Sequence, residues 1–142
     1  MDRTYYIAGI IREDDGSGYS VYFPDVPNVC AGGTTIQEAI SHATEGLGVA
    51  LLDLAEQNRE IPAPSALEDV QKAVQSIRRE DGLPYPDDAL YQYIPAPSLD
   101  RVPVRVNVTI PRALLWEIDS KARLAGMTRS GFLTAAAMAY EA

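Results

Sequence analysis

The sequence predicts an α+β protein in two parts, an antiparallel sheet with packed helices followed by a strand–helix–helix tail. Three observations lead there. Short runs rich in Tyr and Ile, TYYIAGII, YSVYF and ALYQYI, read as strands. Apolar residues spaced three and four apart between the last two runs read as helices. A proline-rich stretch, PAPSLDRVP, then separates them from VRVNVTIP, where apolar and polar residues alternate strictly.

Composition sets the outer bounds. The chain has 142 residues, 46% of them hydrophobic, enough for a packed core in one medium or two small domains. No run of about 18 apolar residues occurs, so no membrane segment is expected. The start, MDRTYYIAGIIRED, lacks the basic beginning and cleavage site of a signal peptide, and a cytoplasmic protein is the simplest reading. Cys30 is the single cysteine. It excludes an intrachain disulfide or cysteine metal site, and is expected to be buried. Neither a metal nor another cofactor is expected. The net charge of −8 is unevenly spread. Residues 101–142 hold six basic and three acidic groups, net +3, whereas residues 1–100 hold six basic and seventeen acidic groups, net −11. Such a split suits a polyanion for the tail and a basic partner for the front.

Along the chain, residues 4–12 form a mostly buried strand and EDDGSG a turn. Residues 19–23 return as a hairpin, two prolines in PDVPNV interrupt pairing, and residues 29–32 give a short third strand. Thr35 and Glu38 form a capping box, opening an amphipathic helix over residues 36–57. Leu67, Val70, Ala73, Val74 and Ile77 mark a second, shorter helix. Residues 89–94 close the front domain as a last strand. The expected domains are 1–96 and 104–142, joined by a linker at 97–103.

In the tail, Pro111 starts a helix lined by Leu114, Leu115, Ile118, Ala122 and Ala125, with Gly126 as its C-terminal cap. Thr128 caps a further helix with Phe132, Leu133, Ala136, Ala137 and Tyr140 on its inner face. One unpaired strand and two short helices make too small a core. A two-fold homodimer solves this, with two copies of VRVNVTIP pairing antiparallel and Val104, Val106, Val108 and Ile110 covered by four helices. Further pairing of dimers is left open. The opposite face presents Arg105, Asn107 and Thr109 from each copy, on a ribbon whose width fits the DNA major groove. Arg suits guanine O6/N7 and Asn suits adenine N6/N7. The helix start in GMTRSG, with Arg129 and Ser130, suits a phosphate.

V-R-V-N-V-T-I-P, Ile118-Asp119 and G-M-T-R-S-G-F-L together resemble the ribbon-helix-helix DNA-binding domain. The resemblance implies base reading by Arg105, Asn107 and Thr109 and phosphate binding by Thr128, Arg129 and Ser130. Ahead of it, Asp15-Gly16, Tyr19 to Phe23, Phe23-Pro24-Asp25-Val26-Pro27, Gly33, Thr35 and Glu38-Ala39, then Ile61-Pro62-Ala63-Pro64-Ser65, resemble the HicB-family antitoxins. Asn28 stands where that family often has Gly, and Thr34 where Asp is common. Asn tolerates a left-handed backbone, so the turn can survive. The resemblance implies a partial RNase H-like fold without catalysis. It also implies binding to a small basic HicA-like toxin, an mRNA-cleaving ribonuclease, and double-stranded operator DNA as second partner. An acidic domain suits a positively charged RNA site. Candidates for the toxin contact are Asp14, Asp15, Tyr22, Phe23 and Asp25, with Glu13 and Glu38 as further surface acids.

An enzyme is not expected. Glu13, Asp14 and Asp15 share a turn and Asp25 sits between prolines, so no set of carboxylates converges on a metal as a nuclease of that fold requires. His42 reads as an ordinary helical residue, and Ser17 and Ser20 lack a nucleophile's context. The alternatives to an autorepressing antitoxin are an orphan ribbon-helix-helix regulator without a toxin and a metal-dependent nuclease.

Overall fold

In the computed structural model, which describes residues 3–141, the chain divides into two compact units, Met1–Arg105 and Val106–Ala142. The first unit contains β1 (Tyr5–Arg12), β2 (Tyr19–Tyr22), β3 (Ala31–Gly33), α1 (Ile36–Glu56), α2 (Leu67–Glu80) and β4 (Leu90–Pro95). The second contains α3 (Arg112–Leu124) and α4 (Arg129–Ala139). The four strands make one sheet in the order β3-β2-β1-β4, antiparallel at every junction.

β1 lies inside this sheet and is buried along six consecutive residues, as its unbroken apolar run demands. Successive side chains leave a strand on opposite faces. Tyr6, Ala8 and Ile10 pack with Ala39, Ala43, Leu47 and Leu51, the stripe that α1 repeats every fourth residue. Ile7 and Ile11 pack with Val70 and Val74 of α2. The two helices therefore cover opposite faces. Gly9 lets α2 come close, because a Cβ there would meet Val74 Cγ2 at 3.0 Å and the Tyr91 ring at 3.2 Å.

The caps follow the sequence with one difference. The Thr35 hydroxyl accepts from the Glu38 amide at 3.1 Å, but the Glu38 carboxylate takes the Thr34 hydroxyl at 3.1 Å instead of closing back on Thr35. Asn28 has φ 75°, the left-handed turn that Asn tolerates. The segment expected as a linker at 97–103 is anchored at its start, with Ala96 buried and Leu99 packed on the α1-side core. Two further expectations are corrected. Cys30 is exposed, because the short strand starts one residue after it and leaves it in the loop. Leu67 is exposed, because the buried stripe of α2 is Val70, Val74 and Arg78, one helical turn apart at each step.

Arg78 is 1% exposed, so its charge must be compensated. Its guanidinium donates to Glu13 Oε1 at 2.6 Å, the Tyr22 hydroxyl at 3.1 Å and the Pro84 carbonyl at 2.8 Å. These partners join the end of α2 to the first hairpin and to the loop leading into β4. Arg78→Ala leaves Glu13 without its cation and is expected to lower the unfolding free energy by about 3–5 kcal/mol, measured by urea denaturation.

Candidate functional site

The acidic turn after β1 is held by its own backbone: the Glu13 amide donates to the Gly18 carbonyl at 2.8 Å. Asp14 and Asp15 are exposed on it, and Asp15 Oδ1 accepts from the Ser17 amide at 2.9 Å. Hydrogen bonding from the Ser17 side chain, and then from its amide, holds the Asp15 carboxyl below its ordinary range. Glu13 turns inward to Arg78.

Glu38 is exposed and accepts from the Thr34 hydroxyl, whereas Tyr22, Phe23 and Asp25 face the interior or are engaged there. Phe23 lies in the core against α1, which removes it from the surface. Tyr22 is half-buried, its hydroxyl accepting from Arg78. Both Asp25 oxygens are engaged by Ser65, from its amide at 2.8 Å and its hydroxyl at 2.6 Å. This contact spans forty residues and ties the Phe-Pro-Asp-Val-Pro turn to the Ile-Pro-Ala-Pro-Ser segment. The Tyr6 hydroxyl donates to the Pro62 carbonyl in the same segment. Burial, and then the nearby Asp25 carboxylate, hold the Tyr6 phenol above its ordinary range. His42 is exposed on α1 and donates from Nδ1 to the Gly32 carbonyl at 2.7 Å, bracing β3.

Residues 102–111 have no regular secondary structure within the single chain. Among the described residues the alternation in VRVNVTIP has no partner strand. Val106 and Val108 are 69% and 70% exposed, and Arg105, Asn107 and Thr109 are exposed as well.

In the second unit α3 begins behind Pro111 and buries Ile118 and Ala122, with Leu115 half-buried and Leu114 and Ala125 exposed. Its end is a Schellman turn: Gly126 has φ 69°, its amide donates to Arg123, and the Met127 amide reaches back to Ala122 at 2.8 Å. Thr128 caps α4 by accepting from the Gly131 amide at 3.0 Å. Phe132 and Leu133 are half-buried, but Ala136, Ala137 and Tyr140, expected to face inward, are exposed. Two helices cannot cover two apolar faces of each other without a third layer.

The groups expected to clamp phosphate are partly engaged. The Thr128 hydroxyl serves the cap. Arg129 makes a bidentate pair with Asp119, Nε to Oδ1 and Nη2 to Oδ2, both at 2.8 Å. The amides of Arg129 and Ser130, in the first turn of α4, have no acceptor within the helix. Sequence spacing alone does not pair Asp119 with Arg129, which lie ten residues apart on different helices, although both belong to the motifs of the tail.

Among the described residues no group of three or more His, Cys, Asp or Glu side chains is placed to hold a metal ion, and no helix is long and apolar enough to cross a membrane. An acidic sheet unit whose motif residues brace its own loops is followed by a helix pair whose apolar surface is uncovered. The chain belongs to the HicB-like antitoxins of bacterial toxin–antitoxin systems, whose family model matches residues 5–137. The role that this family's description carries is that of an antitoxin.

Antitoxin HicB 2 of Photorhabdus laumondii is 43% identical over 53 residues, which are 37% of this chain and 38% of that protein. The aligned stretch thus spans well under half of that relative's length. The crystal structure of the Burkholderia pseudomallei antitoxin HicB matches with TM-score 0.52 and 29% identity, covering 95% of this chain and 94% of that one. A chain of a toxin–antitoxin complex from Streptococcus pneumoniae matches with TM-score 0.57 and 26% identity, covering 96% and 98%. The mixed α+β architecture is thus that of HicB antitoxins.

The hydrogen bonds from Arg129, and then its charge, hold the Asp119 carboxyl below its ordinary range. An Asp whose pKa is lower folded than unfolded stabilises the folded state above the unfolded value, about 3.9, and loses that contribution as pH falls through the folded value. Carboxyl NMR titration is expected to place the Asp119 midpoint below about 3.9 and to return it to that range in Arg129→Gln.

Proposed function

We propose that the chain is the antitoxin of a type II toxin–antitoxin pair and represses its own operon. The observation that carries this reading is the charge split across a member of the HicB-like family: net −11 over residues 1–100 and +3 over residues 101–142. The first unit neutralises a HicA-like mRNA-cleaving ribonuclease by covering its RNA site with an acidic surface. Asp14 and Asp15 are the motif acids free to meet that toxin, while Tyr22, Phe23 and Asp25 set the shape of the surface from within.

The tail works as a ribbon-helix-helix. Two copies of residues 104–111 pair as an antiparallel ribbon, burying Val104, Val106, Val108 and Ile110 against the helices of both copies. Full burial of one such side chain contributes about 1.5–3 kcal/mol. Arg105, Asn107 and Thr109 then read base edges in the major groove. Phosphate anchoring falls to the start of α4, at Thr128, Arg129 and Ser130, through main-chain amides while the Arg129 side chain stays on Asp119.

Co-expression with the neighbouring gene tests the first unit. Co-purification of a small basic protein and rescue of growth from its toxicity are expected. A folded chain that neither binds nor rescues points to a regulator without a toxin. For the tail, Arg105→Ala is expected to weaken operator binding by about 1–3 kcal/mol in a gel-shift titration, the loss of a good base contact, with growth rescue retained. Unchanged affinity in that variant removes Arg105 from the base-reading face.

A further inference from the structure

We propose that the free edge of β4 is a strand-docking site for an extended segment of a basic protein. The two edges of the sheet differ. β3 is three residues long, its Gly32 carbonyl is taken by His42, and α1 lies so close that a Cβ on Gly33 would meet the Ala39 amide nitrogen at 2.7 Å. β4 is six residues long and pairs with β1 in unbroken register from Tyr5↔Pro95 to Ile10↔Leu90, without a bulge. Its sequence, LYQYIP, carries no charge. Leu90 is 46% and Tyr93 59% exposed. Among the described residues the side-chain hydrogen bond to its backbone is one long contact, Gln92 Nε2 to the Tyr93 carbonyl at 3.4 Å.

Natural sheets protect such an edge with lysines, bulges, short strands or a covering element, because a row of open amides and carbonyls recruits another strand. Here Pro95 guards the end, and among the described residues no strand or backbone hydrogen bond engages residues 90–94 on the side away from β1. Strand addition would use that backbone for affinity and the alternating side chains for selection. Gln92 stands opposite Ala8 on the α1 side, and Tyr93 opposite Ile7 on the α2 side.

Charge selects the occupant. Asp87 precedes the strand and Asp100 follows it, Asp88 is paired with Arg12 at 2.9 Å, and residues 1–100 carry net −11. A second copy would bring two such units edge to edge, whereas a basic strand gains from the same field. The site rests on the antitoxin reading and gives the toxin its point of attachment.

The test is residue-resolved amide hydrogen exchange on the full chain, alone and bound to the product of the neighbouring gene after co-expression. Residues 90–94 are expected to gain protection in the complex. The exposed pair Leu90→Lys and Tyr93→Lys is expected to weaken the complex roughly tenfold or more, as for loss of central interface side chains, with an unchanged melting temperature. If the pair impairs folding, Gln92→Lys at an exposed position serves instead. A complex that forms without protection of 90–94 overturns the edge site and leaves the antitoxin reading standing, whereas a folded chain that forms no complex overturns both. Protection that rises with the concentration of the chain alone assigns the edge to a second copy and overturns the basic occupant.

Discussion

The first unit depends on one strand being dry on both faces. β1 has β2 and β4 as neighbours in the sheet, so its backbone is paired on both sides. Its side chains then require a helix above and another below, and the alternation Tyr6, Ala8, Ile10 against Ile7, Ile11 assigns each helix its residues. α1 carries the larger core. α2 must reach the opposite face, and its two crossings are both fastened by polar contacts. Asp25–Ser65 holds the segment leading into it, and Arg78 holds its end to the first hairpin and the loop before β4. A buried arginine and a carboxylate with both oxygens bonded are costly unless fully partnered, so these loops adopt one arrangement. That rigidity leaves the acidic turn and the open edge of β4 in set positions.

Much of this was readable from local pattern. Strands of alternating or unbroken apolar character, a Thr cap three residues before a Glu, and a Gly after an apolar helix each report backbone physics that is decided within a few residues. Long-range polar commitments were not readable in that way. Asp25 and Phe23 look like surface residues beside prolines, and nothing nearby shows that Ser65 takes both carboxylate oxygens or that α1 covers the ring. Arg78 did leave a signal, since it continues the Val70, Val74 stripe by four residues, but a charged residue is ordinarily assigned to the wet face. Cys30 shows the converse error. A small apolar thiol suits a core, yet its position beside the two-proline turn puts it in solvent.

The tail is incomplete as a single copy. Its helices bury Ile118 and Ala122 between them, while Trp116, Leu124, Met138 and Tyr140 stay exposed and residues 104–111 offer valines to water. The Schellman turn, the Thr128 cap and the Asp119–Arg129 pair fix the helix–turn–helix locally, so what is lacking is a covering layer rather than order. The proposed two-fold dimer would supply both a partner strand and that layer. The acidic first unit has its own core, so in the proposed function toxin binding is separable from DNA binding.

The division of labour rests on the 104–111 segment being the seam of a dimer. Sedimentation equilibrium of the full chain, compared with Val106→Asp, tests it most directly. The account predicts a dimer for the parent and a folded monomer for the variant, which no longer binds operator DNA yet still captures the toxin. A variant that stays dimeric and binds DNA as the parent does would contradict the ribbon.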